Sequence, residues 1–182
     1  GVQTGARACV IECMAVRPDL QWVSEHRMLR STHGVITNVR PDHLEVMGPT
    51  TRDVAAALSN TIPENGVLFT AEKSHFGILR DRARTLGTEI VQVDSEAVSA
   101  EDLSGFSYTE HKENVALAVE VCERLGVTKE KALQGMHSAI PDVGALQIYR
   151  LTLADRRVDF IHALAANDPH SILSIWKNLE LN

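Results

Sequence analysis

The sequence has no run of basic residues, and its 182 residues carry a formal net charge of −6. A nucleic-acid or anionic-membrane surface needs a basic face to gain from counterion release or surface potential, so both partners are disfavoured. Paired cysteine spacing is also missing. Cys9, Cys13 and Cys122 are odd in number and form no CxxC, which points away from a disulfide framework or zinc knuckle and toward a reducing cytoplasm. Nowhere do about 18 apolar residues follow one another, and the opening GVQTGARACVIEC has no basic region leading into an apolar stretch, so neither a spanning helix nor a signal peptide is predicted. Internal repeats and low-complexity tracts are absent. The pattern G-x-x-x-x-G-K-[ST] does not occur, and none of the eleven glycines precedes a lysine. The chain therefore carries no loop whose backbone amides and lysine would cradle nucleotide phosphates.

What is present suits one good core, with 44% hydrophobic residues and a length that allows one domain or one and a fraction. Ala8 to Met14 reads as a short central parallel strand with the polar Glu12 inside it. A helix is predicted over Arg17 to Thr32, with apolar positions at Leu20, Val23 and Met28, and a buried strand over Val35 to Asn38. Thr50 to Thr61 follows as a helix with Thr50 or Thr51 as cap, then a strand at Val67 to Thr70, a helix at His75 to Leu86 ended by Gly87, and a strand at Glu89 to Val93. Strands alternating with helices of this length predict an α/β fold, a mostly parallel sheet with crossover helices. Helices at His111 to Leu125 and Lys129 to Ala139 come next, and Pro141 to Gly144 reads as a linker. We place a domain boundary near residue 143, giving domains 1–143 and 144–182. Beyond it a hairpin turns around Ala154 to Arg156 and a helix covers Ser171 to Leu179. The chain starts beside a strand-like run and stops just past a helix, so both ends are expected to continue.

Two features point to chemistry. Ionising Glu12 inside an apolar strand would cost several kcal/mol unless a cation or strong donors compensated it. The second is Ile36 to Gly48, ITNVRPDHLEVMG, where a strand runs into a loop holding Arg40, Asp42, His43 and Glu45. Ligands of open parallel sheets bind beyond the carboxyl ends of the strands, where this loop falls. Glu12 and His43 together form a candidate oxygen-plus-nitrogen site for a hard cation.

The stretches ECMAVRPDLQ, ITNVRPDHLEVMG, HKENVALAVEVCERLGV, PDVGAL and AANDP, in that order, resemble the catalytic subunits of bacterial poly-γ-glutamate synthases. More distantly they resemble Mur ligases and folylpolyglutamate synthases. The resemblance implies an incomplete Mur ligase central domain, of the nucleotide-hydrolase type, plus the start of the C-terminal ligase domain. It implies an ATP- and magnesium-dependent amide ligase that adds glutamate to a growing poly-γ-glutamate chain through an acyl phosphate. Glu12 and His43 would hold magnesium, Arg40 would bind a substrate carboxylate, and Asn114 would recognise adenine. Asn167 or Asp168 would take the place of a ribose-binding aspartate, which falls near Leu164. The family's phosphate-binding loop precedes the Glu12 strand and is expected upstream of Gly1. The family's carbamylated lysine has no counterpart at Leu58 and Ser59, and its Gly-Arg pair is replaced by Pro141 to Gly144. Membrane-bound synthase subunits are the implied partners, with peripheral placement at the inner membrane face and possible self-association. A non-catalytic interaction module of the same fold is the competing reading, and a hydrolase built on the Pro41-Asp42-His43 loop ranks last.

Overall fold

The computed structural model describes residues 5, 7–141, 143–164 and 169–179. They fall into two compact units, Gly1–Gln92 and Val93–Asn182, each with its own packing.

The first unit is built on three parallel strands, β1 (His33–Ile36), β2 (Val67–Thr70) and β3 (Glu89–Gln92), in the order β1-β2-β3. The register is straightforward: His33 sits opposite Val67, and Val67 opposite Glu89. In β2, Leu68, Phe69 and Thr70 are fully buried, as a central parallel strand requires. The helices are α1 (Pro18–Val23), α2 (Leu44–Met47), α3 (Thr51–Leu58) and α4 (Phe76–Thr85). Ile36, Ile62, Leu68, Leu79 and Ala83 form one buried cluster, and Val39, Val54 and Ala55 another. Both belong to the layers that the alternating pattern predicts.

α3 starts where expected. Thr50 is its cap, the Thr50 hydroxyl accepts from the Asp53 amide, and the Asp53 carboxylate accepts from the Thr50 amide. This reciprocal box satisfies two otherwise orphaned donors.

Three expectations need correction. Ala8 to Met14 is not a strand: the segment is irregular and exposed, with Val10 98% and Met14 78% accessible, because no neighbouring strand pairs with it among the described residues. The sheet accordingly has three strands rather than four, and Glu12 is exposed. The first helix is also inverted relative to its apolar pattern. Leu20, Val23 and Met28 face solvent, while Gln21 and Glu25 are buried. The buried polar groups are bonded to nearby chain: Gln21 Nε2 donates to the carbonyls of Ala15 and Val16, while Gln21 Oε1 has no partner among the described residues, and Glu25 accepts from the amide and hydroxyl of Ser31. The helix passes into a π-helical turn at Ser24–Leu29 and stops at Arg30, which is left-handed. Finally, the first strand lies at His33–Ile36 rather than at Val35 to Asn38, so Asn38 already belongs to the loop.

The second unit contains α5 (Ala100–Ser104), α6 (Lys112–Arg124), α7 (Lys129–Ser138), the antiparallel pair β4 (Gln147–Leu153) and β5 (Arg156–His162), and α8 (Pro169–Asn178). α6 and α7 pack together and bury Val115, Leu117, Val119, Ala132 and Leu133. The predicted hairpin is present. Its two turn residues, Ala154 and Asp155, both have positive φ (47° and 63°), the geometry that matches the twist of paired strands. α5 is fastened to α7 by Lys129, whose Nζ lies 2.8 Å from Asp102 Oδ2.

Replacing Leu68 by Ala should lower unfolding stability by about 2–5 kcal/mol, read from urea titration, because the site is fully enclosed. The Lys129 hydrogen bond, with a further bond from the Ser99 amide, holds the Asp102 carboxyl below its ordinary value. A lowered folded value contributes stability above the unfolded carboxylate range, and the contribution is lost as pH falls through the folded value. Lys129→Met should therefore reduce the thermal midpoint at pH 7 and flatten its decline below about pH 4, as followed by calorimetry across pH.

Candidate active site

The loop after β1 begins at residue 37 and is held at both ends. At its start the Val39 side chain is buried with Val54 and Ala55, while the Val39 amide donates to Glu72 Oε2 at 2.7 Å. At its far end Gly48 has φ 117°, and a Cβ there would lie 2.5 Å from the Asp53 Cβ. Only glycine combines that backbone with that closeness. Between these anchors Arg40, Pro41, Asp42 and His43 are exposed.

His43 caps α2 in a left-handed conformation (φ 47°, ψ 42°), uncommon for a residue with a side chain and found preferentially at functional positions. Its carbonyl accepts from the amides of Val46 and Met47. Its ring lies between two carboxylates, with Nε2 3.7 Å from Asp42 Oδ1 and Nδ1 3.5 Å from Glu45 Oε1. The imidazole is about half exposed, so nitrogen and oxygen donors are presented together beyond the carboxyl end of β1. That is a suitable lining for a hydrated hard cation or a phosphoryl group.

Glu72 is the residue that sequence reasoning missed. It lies two residues past β2 and is only 6% exposed. Its second oxygen accepts from the His75 amide at 2.7 Å, and its own carbonyl accepts from Gln92 Nε2 at 2.8 Å. His75 caps α4, and its Nε2 is 3.1 Å from the Thr51 hydroxyl in the first turn of α3. One carboxylate thus joins the loop after β1 to the segment after β2, and the His75 ring ties that segment to α3. The signal was available, because Ala71-Glu72-Lys73 directly follows a predicted strand at the same end of the sheet.

The structure treats the predicted residues unequally. Arg40 and His43 share the loop. Glu12 has no hydrogen-bond or ion-pair partner among the described residues, and no three His, Cys, Asp or Glu side chains there form a metal-ligand group. Asn114 lies in the second unit, in the first turn of α6, where its Nδ2 donates to Glu110 Oε1 at 2.9 Å. Asn167 and Asp168 lie outside the described residues. Among the described residues no helix is long and apolar enough to cross a membrane.

The chain is 40% identical over 175 residues to the capsule biosynthesis protein CapB of Bacillus anthracis, spanning 96% of this chain and 38% of that protein. It is 38% identical over 179 residues to the PGA synthase CapB of Bacillus subtilis strain 168, spanning 98% of this chain and 46% of that protein. Over the segment it spans, this chain is similar to the CapB proteins along nearly its whole length. It covers less than half the length of either CapB relative. No family model matches. Among solved structures, E. coli FolC in complex with DHPP and ADP aligns with a TM-score of 0.67 at 19% identity, over 84% of this chain and 39% of FolC. The bifunctional folylpolyglutamate synthase/dihydrofolate synthase of Yersinia pestis, complexed with AMPPNP and Mn ion, aligns with a TM-score of 0.61 at 18% identity, over 84% of this chain and 39% of that one. This chain therefore has the α/β fold of the folylpolyglutamate synthases.

Glu72→Ala would leave the Val39 and His75 amides without their acceptor. Each orphaned buried amide costs about 1–3 kcal/mol, so a loss of roughly 2–5 kcal/mol is expected, with Glu72→Gln losing less because one amide oxygen remains. Hydrogen exchange at the Val39 amide should accelerate in Glu72→Ala by more than at amides of β3. Uniform acceleration across the sheet would show that Glu72 supports the fold without fastening the loop.

Proposed function

We propose that this chain is part of an ATP-dependent amide ligase that adds glutamate to a growing poly-γ-glutamate chain. The observation that carries this reading is the likeness, over 98% of the chain, to a relative named as a PGA synthase. In the proposed reaction the γ-phosphoryl group of ATP passes to the terminal carboxylate, giving an acyl phosphate and ADP. The amine of the incoming glutamate then attacks the acyl carbon, and phosphate leaves with the bonding electrons as the amide forms.

Both the phosphoryl donor and the carboxylate acceptor are anionic, so the chain must supply positive charge where they meet. Arg40 is our candidate for this, supported by its exposure, by its following a residue anchored through Glu72, and by parallel donors that match a carboxylate. A divalent ion, with magnesium as our assignment, would neutralise charge on the phosphoryl oxygens when bound. His43 and Glu12 are our assigned protein donors. A sparse set is compatible with magnesium, which keeps several waters and takes most remaining ligands from phosphates. The Mn ion and AMPPNP in the Yersinia pestis neighbour support a nucleotide and metal requirement for this fold.

Asn114 is assigned to adenine, which would require its amide to exchange Glu110 for the base. Asn167 and Asp168 are assigned to ribose. The change of domain near residue 143, membrane-bound partner subunits, self-association and placement at the inner membrane face belong to the same proposal.

The full-length protein supplied with ATP, magnesium and glutamate should release ADP and phosphate in step with amide formation, and hydroxylamine should trap the acyl phosphate as a hydroxamate. Arg40→Ala and His43→Ala should each lower turnover by about 10²–10³-fold, the range found for removing one transition-state donor. Undiminished turnover in both variants would refute the site, and absence of both ADP and hydroxamate would refute the reaction.

A further inference from the structure

A hollow of about 460 Å³ lies in the first unit at the end of the sheet opposite the candidate active site, and the ligase reading makes no use of it. Its walls include Trp22, His26, Arg27, Arg30, Glu64 and Asn65. These residues precede β1 and β2, whereas the Arg40 and His43 loop follows β1. Each strand spans about 3.3 Å per residue, so the length of the strands separates the two places.

The charges lining the hollow are unequal in availability. Glu25, also in the wall, is engaged: Oε1 accepts from the Ser31 amide at 2.8 Å and from its hydroxyl at 3.0 Å. The Arg27 guanidinium lies over the Trp22 ring, 5.1 Å from its centroid, a cation–π contact that does not use up its N–H donors. Arg30 is exposed, and neither arginine has a carboxylate partner among the described residues. Glu64 is 61% exposed and faces His26 Nδ1 at 3.4 Å. The hollow thus offers two guanidinia without carboxylate partners among the described residues and one largely exposed carboxylate, Glu64, with His26 beside one of its oxygens.

A ligand that matches this lining carries two carboxylates and one ammonium group. An inorganic anion would leave Glu64 facing a like charge, and a simple cation would face both arginines. The surrounding backbone is costly in the manner of functional sites: a π-helical turn at Ser24–Leu29, left-handed Arg30 and Asn65, and a His26 Nε2 buried without a partner.

The geometry points to a second ligand site in this hollow, for a free acidic α-amino acid whose carboxylates are held by Arg27 and Arg30 and whose ammonium group is held by Glu64. The assignment goes beyond the ligase reading and stands on the lining charges alone. A ligand bound here sits away from the reacting groups, so its effect would be regulatory.

Isothermal titration of the full-length protein without nucleotide tests it, using glutamate, aspartate, succinate, 4-aminobutyrate and inorganic phosphate as probes. Glutamate or aspartate should bind saturably, and succinate and 4-aminobutyrate should each bind about tenfold more weakly for want of one charge. Arg30→Ala should weaken glutamate binding about tenfold or more, and Glu64→Gln should weaken glutamate without weakening succinate. Arg40→Ala should leave this binding unchanged. Thermal unfolding of each variant is matched to the parent, and the exposed Arg30→Ala decides should Arg27→Ala unfold. The assignment is overturned if neither amino acid binds, if binding follows Arg40 rather than Arg30, or if phosphate binds as tightly as glutamate with the same dependence on Arg30. Loss of ADP and hydroxamate formation in the ligase assay leaves this result untouched, so the two readings fail separately.

Discussion

The candidate active site depends on one buried carboxylate. Glu72 accepts the Val39 amide on one oxygen and the His75 amide on the other, both at 2.7 Å, from a position almost closed to solvent. Burying a carboxylate is unfavourable unless its lone pairs are met, and two short bonds from backbone donors meet them without a mobile partner. The consequence is mechanical. The loop that presents Arg40 and His43 leaves β1 from a fixed point, and that point is shared with the cap of α4. Gly48 and the Thr50–Asp53 box fix the other end, so a loop with an exposed middle is bounded by two rigid ends. Sites on anchored loops hold reacting groups better than sites on free ones.

Much of the fold was readable because local signals agreed. The strand at Val67 to Thr70, the Thr50 cap, the helices around Val115 and Leu133, and the hairpin turn at Ala154 and Asp155 each combine a hydrophobic period with a boundary residue. What failed did so for tertiary reasons. Ala8 to Met14 has the composition of a buried strand, yet a strand forms only where a neighbour offers its backbone, and composition does not name the neighbour. Reading Glu12 as a carboxylate trapped in an apolar strand depended on that neighbour, and the described residues leave Glu12 in the open.

The helix from Pro18 onward failed differently. Its apolar positions suggested an inward face at Leu20, Val23 and Met28, but Gln21 and Glu25 are the residues inside. A periodicity argument assumes that burial follows hydrophobicity. Here burial follows hydrogen bonding, since Gln21 reaches the carbonyls of Ala15 and Val16 and Glu25 reaches Ser31. Those bonds are invisible to any count of apolar spacing, because they depend on where the chain before and after the helix returns. The candidate site residues divide along the same line. Arg40 and His43 follow from the rule that loops at the carboxyl ends of parallel strands carry chemistry. Glu72 obeys the same rule but reads as an ordinary charged residue until its two amide donors are seen.

The inverted helix and the two ends of the sheet are connected. Turning polar residues inward leaves Arg27 and Arg30 on the outside of the helix, beside the half-buried Trp22, around a hollow at the amino ends of β1 and β2. A helix that buried Leu20, Val23 and Met28 would instead have left Gln21 and Glu25 outside, rotating the arginines away from Glu64. The π-helical turn belongs to the same choice: one widened turn brings Glu25 beneath the Ser31 amide and ends the helix at Arg30 with its side chain free. At the carboxyl ends of the strands a buried carboxylate fixes the loop of Arg40 and His43. At the amino ends another buried carboxylate, Glu25, fixes the segment that leads into β1. A related device, a buried acid accepting from two backbone amides at Glu72 and from the amide and hydroxyl of Ser31 at Glu25, thus sets up a charged surface at each end of one three-stranded sheet.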